Sequence, residues 1–115
     1  MHRDVMIEKA LTAASSQALI LSILRKEDSY GYEIIQNVRK LTSDEMRWTD
    51  SMLYPVLHRL ENSKLLRSYW RPAPNGRKRK YYAITKRGLA ALREKRRQWD
   101  VASSALNALW MPADV

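Results

Sequence analysis

The stretch that decides the fold spans residues 49–85 and reads TDSMLYPVLHRLENSKLLRSYWRPAPNGRKRKYYAIT. It opens on three residues that favour helix N-termini and continues with apolar residues spaced three and four apart from Leu53 to Leu60. This pattern predicts a helix that buries one narrow apolar stripe. Pro55 is tolerated in it only if the helix begins at Asp50 or Ser51, so that the proline stays close to the first turn.

The rest of this stretch predicts a β-hairpin with a projecting tip. Two runs rich in Tyr, Trp and Ile, Leu65–Arg71 and Arg79–Ile84, flank a link at residues 72–78. The link contains two prolines, which stop strand pairing, and Asn75-Gly76, which favours a tight reversal. The arm and tip carry the cations Arg67, Arg71, Arg77, Lys78, Arg79 and Lys80.

Amphipathic patterns on either side of this stretch predict further helices. We place them at Ile7–Arg25, at Tyr30–Leu41 and from the N-cap Thr85 to about Trp110, with a very short strand where Met46 and Trp48 alternate with charged residues. Three helices followed by a basic hairpin are the element order of a winged helix-turn-helix. We therefore expect a mostly α fold with a small β-hairpin. Residues 1–84 would form the DNA-binding domain and residues 85–115 a C-terminal dimerisation helix.

The last predicted helix is about 39 Å long at 1.5 Å per residue, too long for a domain of this size to cover along one side. Its apolar line alternates spacings of three and four, as a coiled-coil seam does. The seam reads Leu89, Leu92, Arg96, Trp99, Ser103, Leu106, Trp110. It can pack on the first helix of the same chain or on a second copy related by two-fold symmetry, and we expect both. The dimer-interface candidates are Leu11, Leu89, Leu92, Leu106 and Trp110.

The formal net charge of +9 is concentrated in the second half of the 115 residues. Residues 1–64 hold nine basic and nine acidic groups, whereas residues 65–82 hold six basic groups and no acid. This distribution indicates a polyanionic partner. The chain has no Cys, two His and three Gly, which excludes a disulfide framework, a Cys-based metal site, a thiol nucleophile and a Gly-rich phosphate loop. We expect neither an enzyme nor a cofactor or metal site.

A winged helix-turn-helix places its third helix in the major groove of double-stranded DNA and its hairpin on the neighbouring backbone. Candidates for contacts with base edges are Ser51, His58 and Arg59, on the polar side of the predicted helix. Candidates for contacts with phosphates are Arg77, Lys78, Arg79 and Lys80, because cations that release counterions bind DNA regardless of its sequence. The alternatives are a solvated basic surface and, for His58, an ordinary exposed histidine.

Three motifs resemble those of the PadR family of bacterial transcriptional regulators, in the family's order and spacing and over nearly the whole chain. They are Ser29-Tyr30-Gly31-Tyr32-Glu33-Ile34, Leu53-Tyr54-Pro55-Val56-Leu57-His58-Arg59-Leu60-Glu61, and Arg79-Lys80-Tyr81-Tyr82-Ala83-Ile84-Thr85 with Gly88. The resemblance implies a homodimeric winged-helix repressor of an inverted-repeat operator. It also implies that Tyr30 faces the DNA backbone and that the Tyr54 hydroxyl contacts a phosphate, unless Tyr54 packs under the hairpin. Lys64 stands where the family often has Gly, which leaves the geometry of that turn open.

The resemblance further suggests an effector site at Trp99. In small PadR proteins that bind multidrug-type ligands, a tryptophan at the corresponding position lines a pocket between the subunits, where two indoles can sandwich a flat aromatic molecule. Ala18, Ser22 and Ser103 are small enough to leave room for it. Plain packing of Trp99 is the alternative, and Arg96 could fill the space or repel a cationic ligand.

Other classes of protein fit the sequence less well. The charge pattern alone also permits an RNA- or ribosome-associated winged helix. No segment has the apolar length of a membrane span or the pattern of a secretory signal, and the basic hairpin lacks the apolar face that lipid insertion requires. We expect a cytoplasmic protein whose partners are a second copy, double-stranded DNA and a planar aromatic effector.

Overall fold

The computed structural model describes residues 9–111, which form four α-helices and a three-stranded antiparallel sheet. In chain order the elements are α1 (Lys9–Lys26), β1 (Ser29–Tyr30), α2 (Gly31–Leu41), α3 (Asp50–Asn62), β2 (Leu66–Pro72), β3 (Lys78–Ile84) and α4 (Lys86–Trp110). This order confirms the predicted class, a mostly α winged helix-turn-helix with a small hairpin and a C-terminal helix. The predicted helix start at Ile7 and the residues after Met111 lie outside the described residues.

The sheet has the strand order β1-β3-β2, so β3 lies in the middle. β2 and β3 form the predicted hairpin, in register from Leu66 opposite Ile84 to Pro72 opposite Lys78. β1 is two residues long and pairs with Tyr81 and Tyr82 of β3. This third strand is absent from the sequence-based prediction, and it ties the start of α2 to the hairpin.

The predicted strand at residues 46–48 is wrong. Met46, Arg47 and Trp48 lie in an irregular connection between α2 and α3 and belong to no sheet. The alternating pattern arises because Trp48 is buried in the core, at 6% exposure, while Arg47 is exposed. One buried side chain in a loop produces the same polar–apolar alternation as a short strand.

The core lies between the helices and one face of the sheet. Its largest fully buried side chains include Leu21 of α1, Ile34 of α2, Leu53 and Leu57 of α3, and Tyr82 of β3. Each helix contributes residues spaced three and four apart, and burying each such side chain is worth about 1.5–3 kcal/mol. This packing fixes α3 with its apolar stripe turned inward and its polar side turned to solvent.

A tight reversal at the end of α3 sets the direction of β2. The Leu65 N–H donates to the Leu60 carbonyl and the Lys64 N–H to the Glu61 carbonyl, both at 2.9 Å, which is the pattern of a Schellman C-cap. Lys64 takes the left-handed conformation that this cap requires, with φ at 67°. Glycine usually fills that position because a side chain is strained there, yet the turn forms with lysine.

α4 begins as predicted, with Thr85 as its N-cap: the threonine hydroxyl accepts a hydrogen bond from the Gly88 N–H at 3.0 Å. The first half of α4 packs on α1, one of the two predicted partners of the seam. The second half carries apolar side chains that are exposed in the single chain, among them Leu106, Leu109 and Trp110. Between residues 9 and 111 there is no helix of the length and apolarity that crossing a membrane demands.

Candidate nucleic-acid interface

The outer side of α3 presents polar side chains that can reach base edges. Ser51, His58 and Asn62 are exposed, and helical spacing places them opposite the buried stripe. Arg59 is also exposed, but it lies on the flank beside Met52, and both residues line a groove between α3 and α1. The helix therefore offers a hydroxyl, an imidazole and an amide in one row, with a guanidinium at its edge.

Tyr54 lies on the other flank of α3, where it is half-buried against α2. Gly31 makes this contact possible: a Cβ at Gly31 would overlap the Tyr54 hydroxyl oxygen and come within 2.9 Å of Cζ. Burial raises the pKa of the Tyr54 phenol, and the nearby carboxylate of Asp50 raises it further. The hydroxyl is therefore neutral at physiological pH and is held at the junction between α2 and α3.

The wing, which comprises β2, β3 and their connection, has one face built from tyrosine and arginine. The rings of Tyr30 and Tyr69 flank that of Tyr81, with centroid distances of 5.4 Å and 5.8 Å. Each ring is covered by a guanidinium: Arg79 over Tyr30 at 4.3 Å, Arg71 over Tyr81 at 4.5 Å and Arg67 over Tyr69 at 5.5 Å. We call this the tyrosine face. Its arginines make cation–π contacts within the three-stranded sheet.

The opposite face of the wing packs against α3 at its base, and we call it the α3-side face. The Ser68 hydroxyl donates to Oε2 of Glu61 on α3 at 2.5 Å, and Tyr82, which pairs with Ser68 across the hairpin, is fully buried. Successive residues of a strand point to opposite faces. The side chains that continue this face toward the tip are Trp70, Lys78 and Lys80.

Tyr30, which was predicted to face the DNA backbone, is half-buried at the edge of the tyrosine face. Its backbone N–H donates to Oε1 of Glu33 at 3.3 Å, which caps the start of α2. The Tyr69 hydroxyl donates to Oδ2 of Asp28 at 2.5 Å, and this hydrogen bond raises the pKa of Tyr69. Together these contacts join the base of the wing to the turn that follows α1.

The four predicted wing cations differ in their surroundings. Arg77 and Lys78 are exposed at the tip, whereas Arg79 and Lys80 are half-buried on opposite faces. The tip is ordered by its own hydrogen bonds, since Oδ1 of Asn75 accepts from the Arg77 N–H at 3.0 Å. In the described part of the chain the ion pairs are Arg39–Asp44, Arg47–Asp44 and Arg97–Glu94, so no carboxylate neutralises a wing cation there.

A groove of about 550 Å³ lies between α1 and α4 and brings together most of the predicted effector residues. Ala18, Ser22 and Trp99 line it, whereas Ser103 does not. Its rim carries only positive charge, from Arg25, Lys26, Arg93, Lys95 and Arg96. A positively charged lining of this kind favours neutral or anionic groups over cations.

The predicted dimer residues separate into exposed and buried positions. Three of them are exposed in the single chain, as a dimer interface requires: Leu11, Leu106 and Trp110. Leu89 is half-buried and lines the groove between α1 and α4. Leu92 belongs to the core of its own chain, at 9% exposure, and has little surface left to offer a second copy.

Sequence comparison identifies the family. The profile of the transcriptional regulator PadR-like family matches residues 20–94, more than half of the chain. The chain belongs to the PadR-like family. A protein from Lysinibacillus sphaericus is 33% identical over 94 residues, which cover 82% of this chain and 86% of that protein. The transcriptional regulator YqjI of Escherichia coli is 31% identical over 90 residues, which cover 78% of this chain but only 42% of YqjI.

Solved structures of PadR-like regulators have the same fold. A PadR-like regulator from Bacillus cereus superimposes with a TM-score of 0.80 at 30% identity, covering 90% of this chain and 98% of that one. A PadR family regulator from Clostridium difficile gives a TM-score of 0.74 at 34% identity, covering 84% and 98%. PadR-like proteins are DNA-binding transcriptional regulators and not enzymes.

Two of the motifs that resembled the PadR-like family have a packing explanation here. Gly31 follows Tyr30 because the Tyr54 ring occupies the space that a Cβ would need. Gly88 follows Thr85 by three residues because its N–H completes the cap of α4 and a Cβ would overlap the Leu65 carbonyl oxygen.

Some features of the interface were missed by the sequence-based prediction. Each tyrosine of the tyrosine face lies under an arginine, and this pairing depends on the register between strands, which cannot be read from the sequence. The exposure of Trp70 was also missed, because Tyr69 and Trp70 are adjacent and either could have been the buried one. Strand alternation could not have decided between them, because Trp70 lies on the same face as the buried Tyr82 and is nonetheless exposed, at the next residue pair of that face toward the tip.

Proposed function

We propose that this PadR-like chain is a homodimeric repressor that binds an inverted-repeat operator. The observation that carries the proposal is the placement of the polar side of α3 next to a wing whose exposed cations have no carboxylate partner in the described residues. In this arrangement Ser51, His58 and Arg59 read base edges in the major groove, and Arg77 and Lys78 contact phosphates. Residues 1–84 then form the DNA-binding unit and residues 85–115 the dimerisation helix.

The tyrosines have more restricted roles in this proposal. Tyr54 is half-buried between α2 and α3, so its hydroxyl can reach a phosphate only at the edge of the interface while its ring positions α3. The Arg79 guanidinium lies over the Tyr30 ring at 4.3 Å, so both side chains already have a partner within the protein. Lys80 lies on the other face of the wing, the face whose base is hydrogen-bonded to α3 through Ser68 and Glu61.

The homodimer is supported by the second half of α4. Large apolar side chains are exposed there on successive turns, and monomeric proteins seldom leave such a surface uncovered. Leu11 on α1 is exposed as well, so both helices have surface for a two-fold partner. A symmetric dimer presents two α3 helices, and we expect them to bind half-sites one helical turn of DNA apart or a multiple of it.

The proposal is tested by selecting duplexes from a random-sequence pool with the purified protein and mapping the protected bases. We expect an inverted repeat, and sedimentation should show a dimer at micromolar concentration. Arg59→Ala should lose about 1–3 kcal/mol of binding to the selected duplex and much less to random DNA, because it removes one base contact. Arg97→Ala on α4 is the matched control, since Arg97 is an exposed arginine paired with Glu94. Preference for RNA of the same sequence would favour the alternative of an RNA-associated winged helix.

We further propose that a planar aromatic effector binds in the groove between α1 and α4 and relieves repression. Trp99 supplies a flat surface for stacking, and the five cations of the rim favour a neutral or anionic molecule. Such a ligand weakens DNA binding if it prefers a dimer in which the two α3 helices are spaced differently.

Dye binding tests the effector site without knowledge of the natural ligand. An anionic anilinonaphthalene sulfonate should bind the wild type more tightly than a cationic acridine does, and Trp99→Ala should weaken it. Trp70→Ala is the matched control, because Trp70 is also exposed but lies on the wing, away from the groove. Equal dye affinity in the wild type and Trp99→Ala would show that the indole only packs.

A further inference from the structure

Most cations of the wing have an aromatic partner. On the tyrosine face, Arg67, Arg71 and Arg79 each lie over a tyrosine ring within 5.5 Å, and on the α3-side face Lys80 lies 5.7 Å from the centre of the Tyr82 ring. On the α3-side face, Lys78 extends into solvent from the last pair of the hairpin, opposite Pro72. Counting wing cations therefore overstates how many are directed at DNA.

Trp70 is the least expected residue of the α3-side face. It pairs directly with Lys80 across the hairpin, and its side chain is 62% exposed. Tryptophan is enriched at the positions of interfaces where binding energy is concentrated. A cation and a flat aromatic side by side are the pair that nucleic-acid surfaces use, one for phosphate and one for the apolar faces of sugars and bases.

The direction of this face follows from its base. Ser68, one pair further in, is hydrogen-bonded to Glu61 near the end of α3, and Tyr82 beside it is buried in the core. The Nζ atom of Lys80 lies 5.7 Å from the centre of the Tyr82 ring, so this lysine lies along the same face. Trp70 and Lys80 therefore lie on the face of the wing whose base is hydrogen-bonded to α3.

We propose that the wing contacts the duplex with its α3-side face, the Trp70 indole lying against the sugar–phosphate wall and Lys78 on a phosphate, while the cations that lie over tyrosine rings hold the wing in shape. This inference rests on the proposed DNA-binding function and adds a contact residue and an orientation to it. The uncharged indole contributes contact area and one N–H donor, and Lys78 contributes counterion release.

The test compares Trp70→Ala, Lys78→Ala and Arg71→Ala with the wild type. Lys78 and Arg71 form a matched pair, because both are exposed wing cations but they lie on opposite faces. Binding to a fluorescein-labelled random-sequence duplex and to the selected operator is measured by anisotropy at several salt concentrations. Circular dichroism melting checks that each variant is folded.

The proposal predicts a different signature for each variant. Trp70→Ala should bind both duplexes about tenfold more weakly with an unchanged salt slope, because the side chain carries no charge. Trp70→Phe should recover part of the loss, since it keeps a flat ring. Lys78→Ala should reduce the salt slope by about 0.9, and Arg71→Ala should leave it as in the wild type.

The contrary results distinguish failure of the proposed DNA-binding function from failure of this inference. Wild-type protein that ignores duplex DNA at low salt would remove the proposed function itself. Wild-type protein that binds normally, with Trp70→Ala equal to it, would overturn this inference alone. A salt slope reduced by Arg71→Ala and unchanged by Lys78→Ala would show that the tyrosine face meets the DNA.

Discussion

Replacing Gly31 by alanine tests how α3 is held in place. Gly31 is the first residue of α2, and the Tyr54 ring of α3 lies directly over it. An added methyl group would overlap the Tyr54 hydroxyl oxygen, lie 2.9 Å from Cζ and touch Cδ2 of Leu53 at 3.5 Å. The ring cannot simply turn away, because Tyr54 also packs against the hydrophobic core.

The expected cost combines two opposing effects. Forcing an extra methyl group into a packed contact costs about 1–3 kcal/mol, and replacing glycine by alanine in a helix returns about 0.5–1 kcal/mol. Gly31→Ala should therefore lower the free energy of unfolding by about 1–2 kcal/mol. Because α3 must shift to relieve the overlap, binding to the selected operator should weaken more than binding to random DNA.

The assay is a double-mutant cycle with Tyr54→Phe, measured by urea denaturation at one protein concentration. Phenylalanine removes the overlapping oxygen and leaves only the contact with Cζ, which a shift of a few tenths of an ångström relieves. The two changes should therefore be non-additive, with Gly31→Ala costing less by about 1 kcal/mol in the Phe background. Additive effects, or a Gly31→Ala protein as stable as the wild type, would refute the contact as the reason for this glycine.

Three other predictions concern the ends of helices and the buried tyrosine. Lys64→Gly should raise the free energy of unfolding by about 1 kcal/mol, because lysine is strained at φ 67° and glycine is not. Urea denaturation measures this difference, and an unchanged or lower free energy of unfolding would contradict the strain. Thr85→Ala should lower the free energy of unfolding by about 0.5–2 kcal/mol because it removes the N-cap hydroxyl, whereas Thr85→Ser keeps the hydroxyl and should be nearly neutral. Equal destabilisation by both variants would show that the methyl group of Thr85, and not its hydroxyl, stabilises the fold. Burial raises the pKa of Tyr82 from 10.0 to about 12, so the unfolded chain loses the phenol proton at a lower pH than the folded chain does. The neutral phenol therefore makes its full contribution to the free energy of unfolding below pH 10, and this contribution is lost as the pH rises to 12. Urea denaturation should show the wild type losing stability relative to Tyr82→Phe across that interval, and a constant difference would mean that the phenol does not titrate there.

The sequence predicts the helices and the hairpin because each depends on residues that lie close together in the chain. The stripe from Leu53 to Leu60 needs only its own spacing, and Thr85 marks the start of α4 through local capping chemistry. β1 has no such local signal. Two residues, Ser29 and Tyr30, become a strand only because β3 lies beside them, and that pairing joins segments far apart in the chain.

The same distinction between local and long-range signals applies to the candidate site. The exposed side of α3 follows from its helical period, so the placement of Ser51 and His58 opposite the buried stripe could be foreseen. The partners of the wing arginines could not, because an arginine meets a tyrosine only once the strands are in register. The wrong prediction of a strand at residues 46–48 has the same cause. Trp48 is buried because the core surrounds it, and the local sequence pattern does not show whether a buried side chain belongs to a strand or to a loop.

The three functional parts of the chain meet at one junction, the segment from Lys64 to Gly88. The Thr85 hydroxyl lies 2.7 Å from the Lys64 carbonyl oxygen, and the Thr85 N–H donates to the Leu65 carbonyl at 3.1 Å. One residue thus holds the end of α3, the base of the wing and the first turn of α4. We therefore expect a displacement of α4 to move α3 and the wing together, because Thr85 is hydrogen-bonded to the turn that joins them. The Thr85–Gly88 pair is as much a part of the proposed control of DNA binding as the residues that touch the duplex.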